Sequence, residues 1–367
     1  MDRRGSTDQV RIAFALSGLH RVDRGAEVAF IAIASELARA GNQVTLFGSG
    51  DVRPGAPYTF VHVPAVRRER FEGWPALPAL RNETAWEEAT FVAGLLAKYR
   101  PADFDVSVTC AYPFTNWALR RPAIGGGRPR HVFITQNGDW PAWSDSAEFR
   151  LFGCDGLVCT NPDYFERNRA RYRSALIPNG VDLTRFRPGA AERKRFGLPE
   201  RGPVVLMVSA LIASKNVAEG VAAVAQIADA NLVVAGDGSL RHDLNTLAGE
   251  LLPGRYRQLT VPATDMPALY RSADAFMHLS TDESFGNVFV EAMASGLPIV
   301  AYDMPRTRWI VGDHAFFADS REALPAALGA ALDAPPGAAA EMRERARTFG
   351  WPAIAALYND FFSELLQ

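Results

Sequence analysis

Short apolar runs alternate with longer segments of helical period along nearly the whole chain. This is the pattern of parallel strands covered by helices on both faces. In the first half, Arg11–Leu16, Val44–Gly48, Thr59–Val63, Val106–Cys110, His131–Thr135 and Leu157–Thr160 read as strands. Between them, Ala26–Arg39 reads as a helix stopped by Ala40-Gly41, and Thr84–Tyr99 as one stopped before Pro101. A turn at Pro178-Asn179-Gly180 and a polar stretch, Arg187–Arg201, which reads as a connector, precede a second set of strands. These are Val204–Val208, Leu232–Ala235, Ala275–Leu279 and Pro298–Ala301, again alternating with helices. The last segment, Trp351–Leu366, sets Ile354, Leu357, Tyr358, Phe361, Phe362 and Leu365 at helical spacing. Two doubly wound α/β domains are expected, over residues 1–178 and 179–349, each with its binding edge at the carboxyl ends of its strands, and with 350–367 as a terminal helix.

Composition agrees and narrows the function. A chain of 367 residues, 48% hydrophobic, exceeds what one core usually serves. A net charge of -2 gives no global basic field, which argues against a nucleic-acid partner. Cys110 and Cys159 lie in apolar runs, and with Cys154 they show no paired metal spacing, so they read as reduced residues of a cytoplasmic protein. The six histidines form no zinc pattern, and no metal is expected. The stretch Met1–Gln9 is polar, the run from Ile12 to Leu16 is too short for a signal-peptide core, and no stretch reaches the length of a membrane span. Val66–Trp74 mixes Arg67, Arg68 and Arg70 with Phe71 and Trp74. That composition suits an anionic lipid surface, hence peripheral contact with the inner face of a membrane, or an anionic acceptor; the other reading is a solvated loop with Trp74 turned inwards.

The most informative segment is Asp282–Val300. Asn287 is placed to cap a helix, an apolar run follows, and Gly296 with Pro298 stops it before a buried strand. Glu291 falls one turn inside that helix and Glu283 in the loop before it, while Ser284, Phe285, Gly286 and Val288 surround the helix end that attracts anions. A carboxylate in an apolar segment needs partners, and the hydroxyls of a sugar or ribose are suitable ones. Lys215 lies just past the strand Val204–Val208. Gly236 and Gly238 follow the next strand, where they permit close approach of a ring or phosphate or simply form a turn. Gly25 opens the first long helix, where backbone amides suit an anion. Gln136, Asn137, Asp139 and Trp140 concentrate hydrogen-bonding groups and an indole after a strand, and Tyr112 follows another. These suit a polyhydroxyl acceptor or, equally, a structural tryptophan turn.

Glu283 and Glu291, eight positions apart around Phe285-Gly286 and followed by Ala292-Met293-Ala294-Ser295-Gly296-Leu297-Pro298, resemble the paired-glutamate signature of the family-four retaining glycosyltransferases. The resemblance implies a GT-B fold: two Rossmann-like domains facing across a cleft, with a terminal helix crossing back onto the first. It implies metal-independent, retaining transfer of a hexosyl group from a nucleotide sugar of the UDP or GDP type to a hydroxyl-bearing glycan, glycolipid or small molecule, without a cofactor. By the same resemblance Glu291 binds the ribose, and Glu283 with the backbone from Ser284 to Val288 holds the sugar. Lys215 neutralises the departing diphosphate, Gly25 faces it, Gly236 and Gly238 lie near the base, and Asn179–Asp182 is similar to the family's hinge motif. Three departures stand out: Ala210 where an arginine is expected, Arg24 in place of a first glycine, and Ala111-Tyr112-Pro113 where many members carry a histidine. A cation ~4 Å from a phosphate, at an effective dielectric of about 20, interacts by roughly 4 kcal/mol before desolvation. The missing arginine therefore needs a substitute, the helix end or a residue such as Arg306 or Arg308. Rival readings are a sugar-nucleotide epimerase of the same fold, a non-catalytic sugar-nucleotide binder and, without a glycine fingerprint to support it, a dinucleotide oxidoreductase.

Overall fold

The structure, a computed structural model, describes residues 9–77, 79–146 and 149–367. All but Gln9 of the polar stretch Met1–Gln9 lies outside the described residues. The chain forms two compact units, one comprising the residues up to Asn179 together with Trp351–Gln367, the other Gly180–Gly350.

In the first unit the strands β1 (Arg11–Ala15), β2 (Gln43–Gly48), β3 (Thr59–His62), β4 (Val106–Thr109), β5 (Arg130–Ile134), β6 (Gly156–Cys159) and β7 (Ser174–Leu176) form one sheet of order β3-β2-β1-β4-β5-β6-β7. Every pairing is parallel. In the second, β8 (Val204–Val208), β9 (Asn231–Ala235), β10 (Tyr256–Leu259), β11 (Ala275–His278), β12 (Ile299–Tyr302) and β13 (Phe316–Ala318) form a parallel sheet of order β10-β9-β8-β11-β12-β13. In each sheet the chain winds outwards in one direction and then restarts beside its first strand. The switch points lie between β1 and β4 and between β8 and β11, where the connections leaving the carboxyl ends diverge and open a crevice. The central strands are apolar on both faces because helices cover both faces.

The terminal helix Trp351–Leu366 belongs to the first unit. Ile354, Tyr358, Phe361, Phe362 and Leu365 are buried in one core with Ile12, Phe14, Val106 and Val132 of the sheet. The second unit closes where its ends meet, with Val181 N–H donating to the Phe349 carbonyl at 2.8 Å. The polar stretch 187–201, expected as a connector, is pinned to this unit. Arg193 pairs with Asp274 at 2.5 Å, Arg195 with Asp265 at 2.7 Å, and Glu192 with Arg271 at 2.9 Å. Trp74 is not turned inwards: it is 52% exposed, although its ring still packs edge-on against Phe71 and Trp86. Among the described residues no helix is long and apolar enough to cross a membrane.

Candidate functional site

Both ends of the second unit's switch point carry polar side chains, and they meet. The loop leaving β8 forms a short 3-10 turn, Ala213–Lys215, and the Asn216 side chain after it donates to the Leu279 carbonyl at 3.0 Å, tying that loop to the end of β11. Lys215 Nζ thereby reaches Glu283 Oε1 at 2.5 Å, Ser280 Oγ at 3.2 Å and the Asp282 carbonyl at 3.2 Å. His278, the last residue of β11, donates from Nε2 to the same Glu283 oxygen at 3.0 Å. Burial alone would push the Glu283 carboxyl up, but His278 and Lys215 together hold it at about 2. Glu283 Oε2 has no partner among the described residues.

The helix after this loop spans Asn287–Ser295, and its start differs from the sequence expectation. Gly286 is the capping residue, with φ +92°, and Asn287 is the first helical residue. A side chain on Gly286 would bring Cβ to 2.9 Å from the Phe289 ring, so a larger capping residue does not fit the turn. Gly286 offers no capping side chain; Phe289 N–H closes the first turn on the Gly286 carbonyl at 3.0 Å, and the positive dipole end of the helix lies at this loop. Glu291, one turn in, accepts from the buried Tyr270 hydroxyl at 2.8 Å. Burial pushes its carboxyl up to about 7, opposed by the Tyr270 bond and by Arg185.

Of the two arginines considered as substitutes, only one belongs to this site. Arg308 is engaged by Asp303 at 2.5 Å and Asp313 at 2.8 Å and lies over the Phe317 ring. Arg306 Nη1 donates to the Glu283 carbonyl and lines a small cavity with Ser280, Thr281, Glu283, Phe285 and Thr307. Ala210 is exposed.

The remaining sequence candidates divide. Gly236 and Gly238 are required by the chain itself, because a Cβ would meet the Ser209 carbonyl at 1.9 Å and the Leu211 carbonyl at 2.5 Å. Close approach at these glycines is between the loops that follow β8 and β9. Gly25 is exposed at the first position of the helix Gly25–Arg39, which no side chain caps. Gln136 and Asp139 both have partners within the first unit. The Gln136 amide exchanges two hydrogen bonds with Asn179, at 2.5 and 3.0 Å. The buried Asp139 carboxylate accepts from Asn168 at 2.8 Å and pairs with Arg167 at 3.1 Å. Both are thus committed to holding their loop, as buried polar groups must be. Asn137 and Trp140 are exposed, and Tyr112 packs among Trp117, Phe149 and Phe152. Sequence reasoning missed His278 and Tyr270, because a histidine or tyrosine inside an apolar run reads as core. Among the described residues no group of His, Cys, Asp and Glu is placed to hold a metal ion.

Comparison with known proteins gives this arrangement a family. The family model described as Glycosyltransferase Family 4 matches residues 24–185, and that described as Glycosyl transferases group 1 matches residues 190–349. The chain belongs to glycosyltransferase family four. The D-inositol 3-phosphate glycosyltransferase of Thermobispora bispora is 28% identical over 94% of this family-four chain and 90% of that protein. The alpha-monoglucosyldiacylglycerol synthase of Streptococcus pneumoniae is 28% identical over 45% of the chain, which spans only 41% of that relative's length. HepE of Anabaena, solved in complex with UDP-glucose, superposes with a TM-score of 0.70 at 18% identity, covering 97% of this chain and all of that one. At that identity the likeness shows the fold, the two-unit α/β architecture of the GT-B type.

Proposed function

We propose that this chain transfers a hexosyl group from a nucleoside diphosphate sugar to a hydroxyl-bearing acceptor, with retention of anomeric configuration and without a metal. The observation that carries the reading is the meeting of Lys215, His278 and Glu283 at the β8/β11 switch point, beside the helix start at Gly286 with Glu291 one turn inside. In this reading Lys215 and the helix amides meet the diphosphate, Glu283 Oε2 accepts from a sugar hydroxyl, and Glu291 accepts from the ribose diol. The C1–O bond to the diphosphate breaks while the bond from C1 to the acceptor oxygen forms on the same face. The acceptor's proton passes to the departing phosphate oxygen, and the protein supplies position and charge. Relatives named as glycosyltransferases, and a solved relative in fold named with UDP-glucose, support the donor class.

A thermal-shift screen of UDP- and GDP-sugars, followed by diphosphate release with candidate acceptors in the presence of EDTA, tests this reading. Stabilisation by a nucleotide sugar and acceptor-dependent release are expected, with the product's anomeric proton coupling matching the donor's. Lys215→Ala should lower turnover on the order of 100-fold, the range for removing a transition-state charge partner. Donor binding without release would instead favour a binding protein, and an altered donor sugar without acceptor would favour an epimerase. No stabilisation by any nucleotide sugar would overturn the proposal.

We also infer a peripheral contact with anionic lipid at the inner face of a membrane, through the exposed Arg67, Arg70, Trp74 and Leu77. Neither arginine has an ion pair among the described residues. Binding to vesicles of controlled charge tests it.

A further inference from the structure

The loop that follows β5 uses its polar residues in two opposite ways. Thr135, Gln136 and Asp139 are buried, and each is tied to another part of the first unit. Thr135 Oγ1 accepts from the Thr160 N–H at 3.1 Å, the Gln136 amide pairs with Asn179, and the Asp139 carboxylate takes Asn168 and Arg167. Asn137 and Trp140, interleaved with them, are exposed. The Asn137 amide has only a long contact, from Nδ2 to Cys110 Sγ at 3.8 Å, and the Trp140 indole N–H has no hydrogen-bond partner among the described residues. Buried anchors fix the backbone, and these two groups are left to meet something else.

Trp140 is 58% exposed, yet its ring is seated. Gly138, buried with φ +105°, leaves room for the indole: a Cβ there would come to 2.7 Å from Trp140 Nε1. Trp143 packs against the ring with centroids 5.8 Å apart, and the Arg167 guanidinium that pairs with Asp139 lies over Trp143 at 4.9 Å. One side of the indole is therefore covered and the other is open. The loop leaves the carboxyl end of β5, the strand next to β4. The indole thus stands beside the first unit's switch point, on the edge where a parallel sheet binds ligands. A ring already seated loses little conformational entropy when a second flat surface stacks on it.

Resting on the glycosyl-transfer reading above, we infer that Trp140 and Asn137 hold the acceptor, and that the acceptor presents a β-linked gluco- or galactopyranose ring. In such a ring the C–H bonds at C1, C3 and C5 all point to one face, which is apolar, while hydroxyls line the rim. The apolar face stacks on the indole, and the Asn137 amide with the indole N–H meets the rim. An α-mannopyranoside is poorly matched, because its axial oxygen at C1 obstructs one face and its axial oxygen at C2 the other. A lipid chain is poorly matched too, since an amide accompanies the indole on this loop rather than a second exposed apolar side chain.

Saturation-transfer NMR and titration of the full chain with methyl β-D-glucopyranoside, methyl β-D-galactopyranoside and methyl α-D-mannopyranoside test this. The two β-glycosides should bind more tightly than the α-mannoside, with transfer strongest to the protons on C1, C3 and C5. Trp140→Ala should weaken the β-glycosides about tenfold and Trp140→Phe by less, while the α-mannoside scarcely responds. Asn137→Ala should weaken binding without changing which ring protons receive saturation. Should Trp140→Ala fail to fold, Trp140→Phe and Asn137→Ala carry the same comparison. Equal affinity for the three glycosides overturns the inference. So does β-glycoside binding indifferent to Trp140→Ala, the result expected of a ring held at the Glu283 end instead. Loss of binding to phosphatidylcholine vesicles in Trp140→Ala, with no glycoside bound by the wild type, would assign the indole to lipid and overturn it as well. A titration with UDP- and GDP-sugars separates the two readings. Wild-type protein that binds β-glycosides through Trp140 but no nucleotide sugar would sink the glycosyl-transfer reading. Nucleotide-sugar binding with β-glycosides that ignore Trp140 would sink only the role of Trp140.

Discussion

Glu283 and Glu291 look alike in the sequence and sit in opposite electrostatic settings. Two donors hold Glu283 ionised in spite of burial, with its pKa at about 2, whereas Glu291 has one neutral hydroxyl against burial and rises to about 7. The stability signs follow. Glu283, lowered from 4.5, contributes stability that is present above pH 4.5 and lost as the pH falls towards 2. Glu291, raised from 4.5, withdraws stability as the pH climbs from 4.5 through 7. A ribose diol donates to the ionised form of Glu291, so donor binding should release a proton below pH 7. Affinity at pH 6 is expected to be about tenfold weaker than at pH 8. Glu291→Gln should be weaker throughout and flat between those values. Calorimetry of nucleotide-sugar binding across that range checks it, and a wild-type profile as flat as the variant's would remove the ribose contact.

At the scale of elements, the terminal helix Trp351–Leu366 is the one most clearly required by packing. Phe362 is fully buried in the core with β1 and β4, and Gly156 at the start of β6 leaves the space that Phe361 and Leu365 fill. Phe362→Ala should cost about 3–5 kcal/mol. The loss should fall on the first unit, so hydrogen exchange should rise in β1, β4 and β6 and stay unchanged in β8 and β11. Uniform acceleration across both units would contradict that. This helix was legible because its apolar stripe is continuous, as were the long central strands. β7, β10 and β13 were not: they are three- or four-residue edge strands, mostly half-buried, and any apolar run they carry is too short to stand out. At the site, Lys215, Glu283 and Glu291 were legible from their places beside a strand end and a helix start. His278 was hidden because its approach to Glu283 depends on where β11 ends. For Gln136 and Asp139 the partners were not legible, because Asn179, Asn168 and Arg167 arrive from elsewhere in the chain.

Across the whole molecule, net charge bounds how a membrane could attract it. At -2 over 367 residues there is no global positive field, so any attraction must be local and short-ranged, decaying within a Debye length of ~8–10 Å. The segment with Arg67, Arg70, Trp74 and Leu77 has the required chemistry, cations beside an exposed indole and an exposed leucine. Two arginines near an anionic surface are worth about 2 kcal/mol together, roughly a 30-fold change in partitioning. Cosedimentation with vesicles containing phosphatidylglycerol should therefore exceed that with pure phosphatidylcholine and should fall in ~0.5 M salt. Arg67→Glu with Arg70→Glu should abolish the difference, and Trp74→Ala should weaken binding to both vesicles. Nucleoside diphosphate affinity should be unchanged in all of them, because Lys215, Glu283 and Glu291 lie in the other unit. Equal binding to charged and neutral vesicles, or indifference to the double charge reversal, would assign this surface to solvent.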